Sequence, residues 1–128
     1  MHFRYARHTN QLIELENFYI TILRFKKLGE FKNHNGYDGI FLGIENQDWH
    51  IEFTQSEEVV NHSFDEDDIL VFYPESKIEY EEIIFNINLN KIKIIKPKNP
   101  YWKLNGTAIK DPDGYIIIVS PLKIKATK

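Results

Sequence analysis

The alternation of apolar and polar positions predicts a strand, an amphipathic helix and three further strands in the first half of the chain. A short strand is expected over residues 3–7, and Thr9 or Asn10 offers the oxygen that would cap the following helix. Strand-like runs come later, near residues 27–32, 37–44 and 49–55. The helix stripe, with apolar side chains at helical spacing, consists of Leu12, Leu15, Phe18, Tyr19, Ile22 and Leu23.

The second half repeats this order. A strand is predicted over residues 69–73, and Ser76 and Glu79 have the spacing of a capping box. A strand over 92–95 and a loop rich in proline, asparagine and aromatic residues follow, and a hairpin closes around Asp111-Pro112-Asp113-Gly114. The apolar stripe of the second helix comprises Tyr80, Ile83, Ile84 and Ile87.

The order βαβββ therefore occurs twice, which predicts an α+β fold built from two modules in one domain, residues 1–128. The first module covers about 1–55, an acidic linker covers 56–67, and the second module covers about 68–122. Neither half can bury its sheet face alone. We expect the two halves to form a curved mixed sheet around a central cup, where a ligand would bind.

Composition narrows the class of protein. Hydrophobic residues make up 42% and charged residues 27%, which is typical of a globular domain. With no cysteine and no apolar signal-peptide stretch near the start, a reducing, cytoplasmic location is expected. The net charge of −3 argues against a nucleic-acid partner, and no apolar run is long enough to span a membrane. The basic stretch Lys91, Lys93, Lys96 and Lys98 is interpreted as solvated strand edges.

Several local motifs, in this order and spacing, resemble the vicinal oxygen chelate superfamily, which contains glyoxalases, bleomycin-resistance proteins and extradiol dioxygenases. They are Phe18-Tyr19 with Leu23 and Phe25, Trp49-His50-Ile51-Glu52-Phe53, Asn99-Pro100-Tyr101-Trp102 before Gly106, and Asp111-Pro112-Asp113-Gly114-Tyr115. The third motif resembles a bleomycin-resistance-like branch. The resemblance covers nearly the whole chain and implies a glyoxalase-like fold of paired βαβββ modules.

One position departs from the family pattern. The family usually has glycine at the end of the first helix, where this chain has Arg24. Glycine there would permit a positive φ. Arg24 therefore predicts either a different exit from the helix or a strained residue.

The resemblance also assigns four metal-ligand positions, one on the first and one on the last strand of each module. They fall on Arg4, on Glu52, at or near Asp68, and on Ile118. An arginine has no lone pair to donate, and isoleucine is inert. Glu52 and Asp68 are the only metal-ligand candidates, so we expect no metal cofactor, with a divalent ion as the alternative.

Arg4, Glu52 and Asp68 are expected to converge in the cup. The arginine would either clamp an anion or carbonyl of a ligand or form a structural ion pair. His50 lies two residues before Glu52 and so shares its face, where it would act as an acid/base group or as a hydrogen-bonding partner. His8 is expected to have a structural role.

Phe72, Tyr101 and Trp102 are the aromatic residues predicted to line the cavity. The favoured function is a small-molecule-binding protein of the bleomycin-resistance type, without a functional metal site and, by family habit, homodimeric. The alternative is a metal-dependent lyase or dioxygenase of the glyoxalase type. A third reading is a structural or regulatory domain with no small-molecule ligand.

Overall fold

A computed structural model describes residues 1–126, and it contains the predicted mixture of helices and strands. The chain divides into two compact units, Met1–His62 and a second that begins at Ser63, so the boundary falls inside the predicted acidic linker. The α+β class is confirmed by the two mixed sheets, one of four strands and one of three. Within residues 1–126, no helix has the length and apolar character that a membrane crossing requires.

The first unit has the predicted βαβββ order. Its sheet runs β1-β4-β3-β2, with β1 parallel to β4 and the other neighbours antiparallel. Its elements are β1 (Phe3–His8), α1 (Leu12–Thr21), β2 (Lys26–His34), β3 (Tyr37–Gly43) and β4 (Trp49–Gln55).

Helix α1 covers one face of this sheet. Leu15 and Tyr19 are fully buried, and the Tyr19 ring lies 5.1 Å from that of Phe53 on β4. Side chains alternate along a strand. Phe53 and every second residue from it on β4 therefore face α1, whereas His50 and Glu52 face away from the helix. The sheet therefore has one packed face and one polar face.

The start of α1 differs from the prediction, because neither Thr9 nor Asn10 caps the helix. The N-cap is Gln11, which makes no side-chain cap. Instead Gln55, at the end of β4, accepts a hydrogen bond from Leu12 N at 3.0 Å and donates to Asn10 O at 3.0 Å. The Asn10 side chain bonds both backbone groups of Val60. A partner 43 residues away thus replaces the local cap.

The backbone conformation of Arg24 decides between the two predictions for the end of α1, a different exit or a strained residue. Its φ is 63°, in the left-handed region that glycine would adopt without strain. Phe25 N donates to Tyr19 O at 3.1 Å, so the helix end closes around Arg24 in the geometry that the family glycine permits. The family's backbone is kept here, and arginine is the strained residue.

In the second unit the strands run in the order β5-β7-β6, with β5 parallel and β6 antiparallel to β7. Ser76 caps α2 as predicted, and its Oγ accepts from Glu79 N at 3.1 Å. The elements are β5 (Ile69–Phe72), α2 (Lys77–Leu89), α3 (Pro100–Asn105), β6 (Thr107–Lys110), β7 (Ile116–Val119) and a 3₁₀ turn (Pro121–Lys123).

Two predictions for this unit were wrong. Residues 92–95 do not form a strand: only Ile95 makes a bridge, to Ala108, and Pro97 lacks the N–H needed to extend the ladder. The segment predicted as a loop contains α3. Asn99 caps this helix by accepting from Tyr101 N at 3.0 Å, and Pro100 occupies its first turn.

The β6–β7 hairpin is organised by Asp111, which is 4% exposed. Its Oδ1 accepts from Asp113 N at 3.0 Å and from Tyr115 N at 3.1 Å, and Gly114 has a φ of 92°. The turn predicted from the DPDG sequence is therefore held by the side chain of its first residue.

The two faces of the three-stranded sheet are both apolar. Ala108, Ile116 and Ile118 form a buried cluster on one face, against which Ile95 and Trp102 pack. The opposite face carries Thr107, whose Oγ1 lies 3.5 Å from Tyr80 Oη of α2. Helix α2 therefore covers that opposite face, and Trp102 lies on the other.

Candidate functional site

The polar face of the first sheet carries a group of side chains that we name the Arg4 cluster: Arg4, His50, Glu52, His2 and Phe41. Strand register creates it, because Arg4 pairs with His50 across β1 and β4, and Glu52 pairs with Phe41 across β4 and β3. Paired residues project to the same side of a sheet. The predicted grouping of Arg4, His50 and Glu52 is thus present within one unit.

Hydrogen bonds fix the ionisation of His50. Arg4 Nε donates to His50 Nε2 at 3.0 Å, and because arginine only donates, this nitrogen must hold a lone pair. The proton of neutral His50 then sits on Nδ1, which is 2.6 Å from His2 Nε2 and donates to it. The network orients the guanidinium through a neutral imidazole.

The electrostatic surroundings favour the same state. Burial lowers the pKa of His50 below its usual 6.5, and the positive charge of Arg4 and the His2 ring lower this pKa further. The carboxylate of Glu52 opposes these effects. A neutral His50 is the form that accepts the hydrogen bond from Arg4.

The guanidinium of Arg4 is positioned but not saturated. Its Cζ lies 5.3 Å from the centre of the Phe41 ring, and its Nη1 lies 3.7 Å from Glu52 Oε1. That separation is an ion pair without a hydrogen bond. The Arg4 side chain is 52% exposed, and its hydrogen bond to His50 uses Nε alone. One edge of the guanidinium is therefore available to a ligand.

His8 lies on the same face of the sheet, but it contacts Ser56 rather than the Arg4 cluster. It is the last residue of β1, rather than beyond the strand as expected. Its Nε2 accepts from Ser56 N at 3.1 Å and lies 3.1 Å from Ser56 Oγ. These bonds support the structural role predicted for His8, which ties the end of β1 to the segment after β4.

Strand register revises one of the four metal-ligand positions. In the first unit Arg4 pairs with His50, two residues before Glu52. In the second unit the residue two positions before Ile118 is Ile116, and its partner on β5 is Ile69. Ile69 therefore occupies the position assigned to Asp68, and a shift of one residue moves a side chain to the other face of the strand.

Asp68 lies outside β5, in a turn. Its Oδ2 accepts from Asp65 N at 3.0 Å, and its own N–H donates to Asp65 O at 3.0 Å. The structure thus shows a local use for this carboxylate. Its convergence with Arg4 and Glu52 stays a prediction.

The donor atoms at these positions do not fit a divalent metal. Of Arg4, Glu52, Ile69 and Ile118, only Glu52 carries a ligand oxygen. The nearby His50 Nε2 already accepts from a guanidinium. In the part of the chain that the structure describes, no group of three or more histidine, aspartate or glutamate side chains could hold a metal ion.

The three aromatic candidates do not share one surface. Trp102 packs against the Ala108–Ile118 cluster, and the Tyr101 ring meets it edge-on at 4.9 Å. Phe72 pairs with Val119, so it lies on the opposite face of the sheet from Ile118. Phe72 and Trp102 therefore lie on opposite faces of the sheet, and the predicted role of these aromatic residues in lining a ligand cavity stays a prediction.

Sequence reasoning missed two members of the Arg4 cluster as site residues. His2 precedes β1 and shows no pattern that links it to His50. Phe41 was recognisable only as a strand aromatic. Its place beneath Arg4 follows from the β3–β4 register, and the predicted turn between these two strands does not fix that register by itself.

The fold and the paired modules define a vicinal oxygen chelate protein, and comparison with known proteins identifies the family. Residues 3–54 match the YycE-like N-terminal domain, and residues 67–120 match the YycE-like C-terminal domain. The chain belongs to this YycE-like family. The narrower assignment to a bleomycin-resistance-like branch stays a prediction.

Individual relatives agree with this assignment. The uncharacterized protein YycE of Bacillus subtilis (strain 168) is 40% identical over 119 residues, which cover 90% of this chain and 84% of that protein. The crystal structure of YycE from Bacillus subtilis, a protein of unknown function and a candidate glyoxalase/fosfomycin resistance protein, superimposes with a TM-score of 0.81 and 37% identity. That match covers 99% of this chain and 92% of that one.

More distant structures share the fold. Glyoxalase I of Leishmania major matches with a TM-score of 0.70 and 20% identity, covering 91% of this chain and 83% of that one. The fosfomycin resistance protein FosX of Mesorhizobium loti matches with a TM-score of 0.65 and 10% identity, covering 91% and 87%. At these identities the match shows the glyoxalase-like fold and no more.

Proposed function

We propose that the protein binds a small molecule that carries an oxyanion or a carbonyl oxygen, and that Arg4 holds this oxygen without a metal ion. The observation that carries the proposal is a half-exposed guanidinium that His50 and Phe41 hold in place and whose hydrogen bond to His50 uses only one of its nitrogens. The guanidinium is a planar, permanently charged donor that recognises carboxylate and phosphonate oxygens.

The alternative role of Arg4, a structural ion pair, has weak support. The Arg4–Glu52 contact of 3.7 Å is too long for a hydrogen bond, and Arg4 is 52% exposed. The Glu52 side chain is 14% exposed, so the pair is only half exposed, and at this separation it contributes about 1 kcal/mol. An orienting network around an exposed cation fits ligand binding better than it fits a contribution to stability.

The rival function is a divalent-metal-dependent lyase or dioxygenase of the glyoxalase type. It would need ligands where this chain has Arg4, Ile69 and Ile118. Metal analysis of the purified protein separates the two functions. Stoichiometric nickel, zinc, manganese or iron would overturn the metal-free proposal.

The ligand site is tested with a panel of small carboxylates, phosphonates and dicarbonyl compounds. Binding is followed through the imidazole NMR signals of His50, because this ring contacts the guanidinium. For any compound that binds, Arg4→Met should weaken affinity about 10- to 100-fold, since hydrogen bonds to charged groups contribute about 1.5–3 kcal/mol.

Lys32→Met is the matched control, because it removes an exposed positive charge from the same sheet and should leave affinity unchanged. A ligand that binds Arg4→Met as tightly as the wild type would refute the proposal. So would a panel without any binder that shifts the His50 signals.

We also propose a homodimer and a cytoplasmic location, which rest on family habit and on the absence of cysteine. Sedimentation velocity of the purified protein tests the dimer. A monomer at micromolar concentration would contradict it.

A further inference from the structure

The second unit contains a half-open cavity of about 400 Å³ that none of the predicted site residues lines. We name it the lysine cavity. Its walls include Lys96, Lys98, Lys110, Phe64, Ile95 and Ile116. Its volume lies within the range of about 300–1,000 Å³ typical of small-molecule sites.

The basic stretch from the sequence analysis contributes two of these lysines. It was interpreted as strand edges, but only Ile95 bridges to the sheet, through Ile95 N and Ala108 O at 2.8 Å. That bridge fixes the following residues beside β6. Lys110 ends β6 on the same face as Ala108, so lysines from two segments meet at one cavity.

The positive charge there exceeds the negative charge. Lys27, Lys77 and Lys125 each pair with a carboxylate, whereas Lys96, Lys98 and Lys110 have no ion-pair partner among residues 1–126. Three lysines face a single acid, Glu66, in a chain whose net charge is −3. An anion bound in the cavity would offset the mutual repulsion of the lysines.

Apart from Glu66, the remaining walls are apolar, and neighbouring side chains pack against them. Ile116 belongs to the buried cluster under the sheet, and Ile95 packs against it. Phe64 is held by the Tyr115 ring, with ring centres 4.5 Å apart. A flat apolar group could therefore lie against Phe64 and the isoleucines while its charge faces the lysines.

We propose that the lysine cavity is a second binding site, for a small amphipathic anion with a flat apolar body and a carboxylate or phosphate group. It uses no residue of the Arg4 cluster and does not depend on the function proposed for that cluster.

The test uses 1-naphthoate, 1-naphthyl phosphate and the neutral 1-naphthamide as probes, titrated into ¹⁵N-labelled protein. Both anions should shift the backbone signals of Lys96, Lys110 and Ile116, and the amide should bind more weakly. Tighter binding of the phosphate would indicate a phosphate ester as the natural class, and tighter binding of naphthoate a carboxylate. Equal binding of the neutral amide would overturn the proposal.

Variants then test the charges. Lys96→Met and Lys110→Met keep the length of the side chain and should each weaken anion binding about 1.5- to 5-fold, the range expected for exposed charge pairs. Glu66→Gln should tighten it by a similar factor. Lys93→Met, an exposed lysine of the same stretch that does not line the cavity, is the control and should have no effect.

Arg4→Met separates this site from the first, and it should leave binding of the naphthyl anions unchanged. Loss of their binding in Arg4→Met but not in the double variant of Lys96 and Lys110 would overturn the lysine cavity while leaving the Arg4 site standing. No binding of either anion at millimolar concentration would also overturn it.

Discussion

Replacing Arg24 with glycine should stabilise the protein. Arg24 has a φ of 63° at the point where the chain leaves α1, and Phe25 N bonds Tyr19 O around it. A side chain with a Cβ pays about 1–2 kcal/mol in this conformation. Glycine avoids that cost but loses about 0.5–1 kcal/mol through the greater freedom of its unfolded chain.

The difference predicts a rise in the free energy of unfolding of about 0–1.5 kcal/mol, centred near 1 kcal/mol. For a chain of 128 residues, about 1 kcal/mol corresponds to roughly 3–5 °C in melting temperature. Urea unfolding followed by tryptophan fluorescence measures the change, and the slope of the transition should stay constant.

Arg24→Ala is the matched control, because alanine keeps the Cβ and removes only the rest of the side chain. It should gain nothing over the wild type. An equal gain in both variants would place the strain in the guanidinium and refute the backbone argument. A glycine variant no more stable than the alanine variant would refute it as well.

Three further outcomes are expected. Asp111→Ala should lower the free energy of unfolding by about 3 kcal/mol, because two backbone N–H groups lose a charged acceptor, and Asp111→Asn should recover part of this in thermal unfolding. Leu15→Ala should cost about 2–5 kcal/mol in urea unfolding, since Leu15 is fully buried; a cost below 1 kcal/mol would contradict its place in the core. In an NMR titration His50 should show a pKa below 6.5, and Arg4→Met should raise it. Because the folded protein favours neutral His50, its contribution to stability is present above pH 6.5 and is lost as the pH falls through its lowered pKa; an unchanged pKa in Arg4→Met would contradict the contact.

Elements with strong local signals were predictable from sequence. The apolar stripe located α1, alternation located β4 at Trp49–Gln55, and Ser76 with Glu79 located the start of α2. The sequence-based predictions were wrong where a residue distant in the chain fixes the local structure. Gln55 supplies the contacts at the start of α1, which no local pattern reveals.

Some local signals were present but not used. Asn99 followed by Pro100 is a helix start, yet the aromatic and proline content suggested a loop. Pro97 likewise limits pairing after Ile95.

The site was predictable only in part. The family resemblance placed Arg4 and Glu52 on one face of the first sheet, and strand alternation added His50, which pairs with Arg4. For the second module the count gave a position at or near Asp68, and the register of its first strand favours the neighbouring Ile69. Counting along a sequence is uncertain by one residue, and on a strand that error changes the face.

The contrast between the two sheets has an evolutionary consequence. To acquire a metal centre, a descendant of this chain would have to change Arg4, Ile69 and Ile118 together. A carboxylate introduced at Ile118 alone would be buried without a counter-ion, because this position is fully buried among apolar side chains. A change at Ile118 alone is therefore expected to destabilise the second unit, and a counter-charge would have to appear with it.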